Sequence, residues 1–253
     1  MALLELSGVT MKFGGLVAVN DLDLVVDAGR LYGLIGPNGA GKTTVFNVIT
    51  GVYTPTSGAI RFDGAAIAGQ RTGRITRRGI ARTFQNIRLF GDMTVLDNVK
   101  VAFHCRQKAG LPAAVFRAPE HSSEEARVDR ESRELLKIFH LEAAAAEKAR
   151  NLPYGSQRRL EIARAMATSP KLLLLDEPAA GMNPHEAREL MDLIRWVRDH
   201  FGMAILLVEH NMKVVMGICE IVHALDYGST IAIGKPAEIQ SNPKVIEAYL
   251  GGA

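Results

Sequence analysis

The run "LYGLIGPNGAGKTTVFNVIT", Leu31 to Thr50, constrains this chain more than any other stretch. A short apolar strand, "LYGLI", leads into Gly36, Pro37, Asn38, Gly39, Ala40, Gly41, Lys42, Thr43 and Thr44, and a helix pattern opens at "KTTVFNVIT". Every fixed position of G-x-x-x-x-G-K-[ST] is filled, in the strand-then-helix context that gives this pattern its meaning. Glycines in such a loop let backbone N–H groups curl around phosphate oxygens at a helix N-terminus, where the dipole favours negative charge. The Lys42 side chain has the length to reach β- and γ-phosphates, and the Thr43 hydroxyl suits Mg²⁺. A glycine-rich turn with a chance lysine is the plain alternative; the complete pattern between strand and helix argues against it.

A partner for that loop is written further on. "KLLLLDEP" (Lys171–Pro178) reads as a buried strand ending in Asp176, where a carboxylate is costly unless it meets a cation or a metal site. Glu177 emerges one residue later, placed to polarise an attacking water. His210 follows the strand "MAILLVE" and comes out on the same edge; taken alone, a histidine there is more often a solvated or satisfied side chain. Gln85, in "RTFQN", is suggestive only by its place where strand patterns give way to helical ones.

Strand and helix alternate on either side of a helical insert. Leu4, Leu6, Val9 and Met11 alternate through "LLELSGVTMKF", and Asp63-Gly64 in "AIRFDGAAI" signals a hairpin. From about Asn86 to Arg164 the pattern is helical. It is interrupted by a loose connection at Arg106–Ser123 and contains "AAAA" (Ala143–Ala146), which suits a helix end. Asn183-Pro184-His185-Glu186 supplies a cap, a proline at the first helical position and a third-position glutamate. The helix that follows carries a stripe at Leu190, Leu193, Ile194 and Val197. "EIVHALDYGSTIAIGK" reads as a hairpin turning at Tyr227-Gly228, and "NPKVIEAYL" as a short helix capped by Asn242. This alternation predicts an α/β fold with a mainly parallel sheet and ligands at the carboxyl ends of its strands.

Composition narrows the function classes. The 253 residues suffice for one sizeable core, and 30 Lys and Arg against 27 Asp and Glu leave only +3, which makes no case for nucleic acid. Cys105 and Cys219 lie far apart in no metal-ligand pattern, which suits reduced thiols in a cytoplasmic protein. "MALLELSGVTMKF" lacks the features of a signal peptide, and the apolar runs are strand-length, so the chain reads as soluble.

The ordered set "GPNGAGKTT", "TFQ", "PYGSQRRLEIARA", "LLLLDEP" and "VEH" resembles the ATP-binding cassette of ABC transporters, from about Leu4 to Leu250. The resemblance implies a P-loop NTPase, RecA-like core (1–85 and 165–253) with an antiparallel N-terminal β lobe and an inserted helical subdomain (86–164). It implies ATP and Mg²⁺ as cofactors, and a second cassette that completes two shared ATP sites. By position it makes Phe13 the aromatic that stacks on adenine, and Gln85 the residue that senses Mg²⁺ and the membrane subunits. It makes Asp176 a Mg²⁺ ligand with Thr43, Glu177 the catalytic base and His210 the γ-phosphate switch. For Phe13, the alternation of its strand equally allows a place in the β-lobe core.

One segment departs from the family pattern. Where the family reads Leu-Ser-Gly-Gly-Gln, this chain has Leu152, Pro153, Tyr154, Gly155 and Ser156, followed by a matching "QRRLEIARA". Pro153 offers neither hydroxyl nor N–H, so contacts to a partner-held ATP would come from Gly155, Ser156 and the helix start. The tyrosine-glycine signature, "RTFQNIRLFGDMTVLDNV", "EPAAGMNP" and "NPKVIEAYLG" resemble cassettes of branched-chain amino acid importers. This implies integral permease subunits, a related cassette as heterodimer or homodimer partner, an indirect solute-binding protein and a place at the cytoplasmic face of the membrane. Ile87, Leu89, Phe90, Met93 and Val95, with little charge among them and next to Gln85, suit Asn86–Val95 to docking a permease subunit; simple packing of the helical lobe is the plain alternative. A urea or amide importer and an exporter are the nearest rivals. A DNA-repair or ribosomal cassette would carry long coiled coils or a second cassette, and a free-standing kinase or nucleotide switch would leave "QRRLEIARA" without a role.

Overall fold

The computed structural model describes residues 1–106 and 119–250. The chain begins with two long antiparallel strands, β1 (Ala2–Phe13) and β2 (Leu16–Asp27). In β1 the buried set Leu4, Leu6, Val9 and Met11 changes phase between Leu6 and Val9. Strict alternation would turn half of it outward. The ladder shifts register there, with Gly8 at φ 57°, so a bulge absorbs the extra residue and keeps one face apolar. After β3 (Leu31–Ile35) and α1 (Lys42–Ile49), the chain returns to this lobe as β4 (Ser57–Phe62) and β5 (Ala65–Ala66). Their turn places Asp63 and Gly64 at φ 50° and 73°, the left-handed pair a tight hairpin needs. The lobe's order is β2-β1-β4-β5, all antiparallel.

The second sheet carries the strands that end at the site. A short helix α2 (Thr72–Arg78) precedes the edge strand β6 (Ile80–Arg82). Beyond the helical insert come β7 (Leu172–Asp176), α6 (Pro184–Phe201), β8 (Ala204–Val208), α7 (Met212–Ile218), β9 (Ile221–Asp226) and β10 (Ser229–Gly234), then α8 (Pro236–Gln240) and α9 (Pro243–Leu250). The order is β10-β9-β3-β8-β7-β6, parallel throughout except for β10. Every residue of β3, β7 and β8 is buried, as strands covered on both faces require. Each of their leucines contributes roughly 1.5–3 kcal/mol by leaving water. The α6 cap forms as the sequence indicates: Asn183 Oδ1 accepts from the N–H of Glu186 (3.0 Å) while Glu186 returns a carboxylate oxygen to the Asn183 N–H (3.0 Å). Leu190, Ile194 and Val197 of its stripe are buried, and Leu193 is half-buried.

The chain divides into two compact units, Met1–Gln85 with Lys171–Ala253, and Asn86–Pro170. The second is built on α3 (Val95–Phe103), α4 (Pro119–Ile138) and α5 (Tyr154–Met166). Three sequence expectations change here. Residues 86–94 form an irregular segment before α3 starts. The Arg106–Ser123 connection falls largely outside the described residues, and its end is already helix from Pro119. The alanine run does not end a helix: α4 stops at Ile138, and Glu142–Ala144 is a single 3₁₀ turn. β2, α2, β6 and α7 have no counterpart in the sequence reading, the last three being too short for a period to emerge.

One buried group gives the fold a pH dependence. His223 of β9 is 2% exposed and its Nε2 lies 2.7 Å from Thr230 Oγ1 on β10. Burial lowers its pKa to about 4, so the folded protein holds it neutral while the unfolded chain protonates near 6.5. Stability is therefore intact above pH 6.5 and falls as pH drops toward 4. We expect the unfolding free energy of His223→Gln to fall by about 2 kcal/mol less than that of the wild type between pH 7 and pH 5, at roughly 1.4 kcal/mol per pKa unit, measured by urea denaturation. Parallel losses in the two proteins would contradict this account.

Candidate functional site

The phosphate loop connects β3 to α1, and two glycines show why other residues do not fit. A Cβ on Gly36 (φ 152°) would sit 2.2 Å from the Leu225 carbonyl oxygen, and one on Gly41 (φ 96°) 2.4 Å from that of Ala18. Backbone from β9 and β2 thus closes on the loop at both ends. Gly41 caps α1 without a side-chain acceptor, so no side chain at the cap competes for the helix's first N–H groups. Lys42 is buried, and its Nζ donates to the carbonyls of Gly36 (2.7 Å) and Pro37 (2.8 Å). Burial lowers the pKa of this amine, while the nearby Glu177 and Asp176 carboxylates oppose the shift.

Three acids gather at the carboxyl ends of β7 and β8. Asp176, 2% exposed, accepts a hydrogen bond on Oδ2 from Arg82 Nη2 at 2.9 Å, and its N–H points to Thr83 Oγ1 at 3.4 Å. Glu177 has φ 47°, a left-handed backbone unusual for a residue with a side chain. Its carboxylate is bracketed: Gln85 Nε2 donates to Oε2 (2.9 Å), and His210 Nε2 lies 2.5 Å from Oε1. Glu209, 3% exposed, accepts from the N–H groups of Ala179 (2.9 Å), His210 (3.2 Å) and Asn211 (3.5 Å). Burial raises its pKa despite these donors.

A cavity of about 440 Å³ joins these parts, lined by Phe13, residues 38–44, Gln85, Glu177, His210 and Tyr227, together with Leu16, Val17 and Ala18. Phe13 is 40% exposed at its mouth and packs edge-on against Tyr53, with ring centroids 5.1 Å apart, so it is not a β-lobe core residue. Asp176 is buried and is not among the lining residues. Sequence reasoning missed Tyr53, Tyr227, Arg82 and Glu209. A signal existed for Glu209, because a carboxylate closing an all-apolar strand was the argument already made for Asp176.

The second unit holds the remaining site candidates. Pro153 caps α5, which places Gly155 and Ser156 in its first turn, where N–H groups lack intrahelical acceptors. Gln157 Nε2 donates to the Leu152 carbonyl (2.9 Å) and fixes the approach. Tyr154 has a local explanation: its hydroxyl accepts from Arg158 Nη2 (3.2 Å), and that fully buried guanidinium pairs with Glu161 (2.8 Å). Of the apolar residues at Asn86–Val95, Phe90 is exposed, Ile87, Leu89 and Met93 are half-buried, and Val95 is buried at the start of α3.

A phosphate loop facing an acid-tipped parallel strand, with a further carboxylate held beside it, defines a P-loop nucleoside triphosphatase. The chain belongs to the ABC transporter family, whose model matches residues 19–180, and is an ATPase of that family. A second model, described as branched-chain amino acid ATP-binding cassette transporter, matches residues 229–253. The chain is 47% identical over 251 residues to the high-affinity branched-chain amino acid transport ATP-binding protein BraF of Pseudomonas aeruginosa, covering 99% of this chain and 98% of that one. It is 48% identical to LivG of Escherichia coli, named likewise, over the same shares, and 35% identical to the lipopolysaccharide export system ATP-binding protein LptB of Escherichia coli, again over 99% and 98%. Among solved structures it resembles the ADP conformation of an ATP-binding cassette of an ABC transporter, with a TM-score of 0.86 and 30% identity over 99% of each chain.

The strained backbone at Glu177 makes a prediction. Left-handed geometry costs about 1–2 kcal/mol for a residue with Cβ, and glycine's extra unfolded entropy returns roughly 0.5–1. Glu177→Gly should therefore leave the thermal midpoint unchanged or slightly raised while removing the carboxylate. A clear fall in midpoint would show that the bracketing contacts outweigh the strain.

Proposed function

We propose that the chain hydrolyses MgATP at the cavity between the phosphate loop and the ends of β7 and β8, as one of two cassettes powering a membrane importer for branched-chain amino acids. The observation that carries the site reading is the convergence of Lys42, Glu177, Gln85 and His210 on one cavity. In this reading, the loop N–H groups and Lys42 bind the β- and γ-phosphates, and Phe13 stacks on adenine. Thr43 and Asp176 would hold Mg²⁺ with Gln85; a hydroxyl, one carboxylate and an amide oxygen form the sparse donor set that suits an ion keeping water and phosphate oxygens as its other ligands. When bound, the cation neutralises charge on the phosphoryl oxygens.

Glu177 is the general base. Gln85 and His210 occupy one acceptor position on each of its oxygens, and a carboxylate with about four such positions can still accept from a water. His210 senses the γ-phosphate. The branched-chain reading rests on 47–48% identity over nearly the whole chain to proteins named for branched-chain amino acid transport. The partners are integral permease subunits docking at Asn86–Val95, a second cassette of related sequence and, indirectly, a solute-binding protein, at the cytoplasmic face of the membrane. The helical unit presents Gly155 and Ser156 to the ATP of the partner cassette.

Two outcomes follow. Glu177→Gln should bind MgATP but turn over on the order of 10²–10⁴ more slowly, whereas Lys42→Ala should weaken ATP binding itself; wild-type-like turnover in Glu177→Gln would remove it as base. Gly155→Asp should leave ATP binding to the isolated chain intact and stop ATPase in the transporter reconstituted with its permease subunits. Sustained ATPase there would make the α5 start an ordinary turn.

A further inference from the structure

The segment that ends β6 and runs on to the helical insert, Arg82-Thr83-Phe84-Gln85, contributes more than its glutamine. Arg82 is almost wholly buried: 6% of its side chain is exposed, against 4% for Asp176. A buried ion pair adds little net stability, because desolvating two charges offsets their attraction. Its geometry suggests another role. While Nη2 holds Asp176 Oδ2, Nη1 donates to Asn47 Oδ1 (2.7 Å) and lies 3.4 Å from Thr50 Oγ1, both in or just after α1. Asn47 and Thr50 follow Thr43 by four and seven residues, so they continue the helix face that starts at Thr43. The rings of Phe46 and Phe84 flank the guanidinium at 5.3 and 5.0 Å and hold its plane.

One planar cation therefore spans the two elements that carry the proposed Mg²⁺ ligands, the end of β7 and the Thr43 face of α1. We propose that Arg82 is a positioning residue for the Mg²⁺–nucleotide site: a strut that fixes the Asp176 carboxylate by one oxygen and sets its separation from Thr43. Lysine would keep the charge but lose the fork that reaches both elements at once. Thr83 Oγ1 accepts from the Asp176 backbone N–H, and Gln85, three residues beyond Arg82, reaches Glu177. The end of the edge strand β6 and the three residues after it thus hold both acids from a single short segment. The inference rests on the reading of Asp176 and Thr43 as cation ligands given above.

The test uses the full chain and a fluorescent ATP analogue, titrated first in EDTA and then with rising Mg²⁺. Arg82→Lys should keep its melting profile and its affinity in EDTA within about twofold, while the Mg²⁺ concentration for half-effect rises about 10–100-fold, as loss of a ligand-orienting partner does. Asn47→Ala, which removes the shorter link to α1, leaves the longer one to Thr50 and keeps the ion pair, should raise it by a smaller factor. Unchanged Mg²⁺ half-effects in both variants would reduce Arg82 to a neutralising charge and overturn the inference while leaving the site reading intact. A wild-type chain that shows no Mg²⁺-dependent gain would overturn the reading of Asp176 and Thr43, and this inference with it.

Discussion

Three carboxylates crowd the ends of two adjacent strands, and the site depends on each being held by a different kind of partner. Asp176 is neutralised by the guanidinium of Arg82, Glu177 is bracketed by Gln85 and His210, and Glu209 is wrapped by backbone N–H groups. Like charges this close disfavour one another's ionised form, and burial adds to the cost. Separate partners let the three serve separate ends. The amide and imidazole at Glu177 are weaker partners than a guanidinium, and it is the acid that lines the cavity. Glu209 links the turn after β7 to the turn after β8, so the loop entering α6 and the loop carrying His210 share one anchor.

What was legible in the sequence was legible because it is local. The phosphate loop, the Asn183 capping box and the Asp63-Gly64 and Tyr227-Gly228 turns each depend on residues within a few positions of one another, and each forms as read. Arg82 and Asp176 are 94 residues apart, and only the pairing of β6 with β7 brings them together. Nothing in "GIARTFQ" distinguishes an arginine that will be buried from one that will be solvated. The same limit explains Phe13: alternation along β1 leaves its face open, while the structure turns the ring to the cavity mouth beside Tyr53, a residue some 40 positions later.

The departure from the family's signature is a physical trade rather than a loss. Proline at the cap removes a hydroxyl and an N–H, but its fixed φ (observed at −54°) with an extended ψ of 152° delivers the chain into α5 without a side-chain cap. Tyrosine at the next position covers a buried arginine whose charge is matched by Glu161 one turn on. These contacts rigidify the first turn from within. The free N–H groups of that turn, Gly155 and Ser156 among them, are then oriented by packing instead of by a capping hydroxyl. An anion meeting this helix start would find donors already fixed in place, with the helix dipole adding to their pull. The residues that depart from the family pattern are thus the ones that stabilise this helix start.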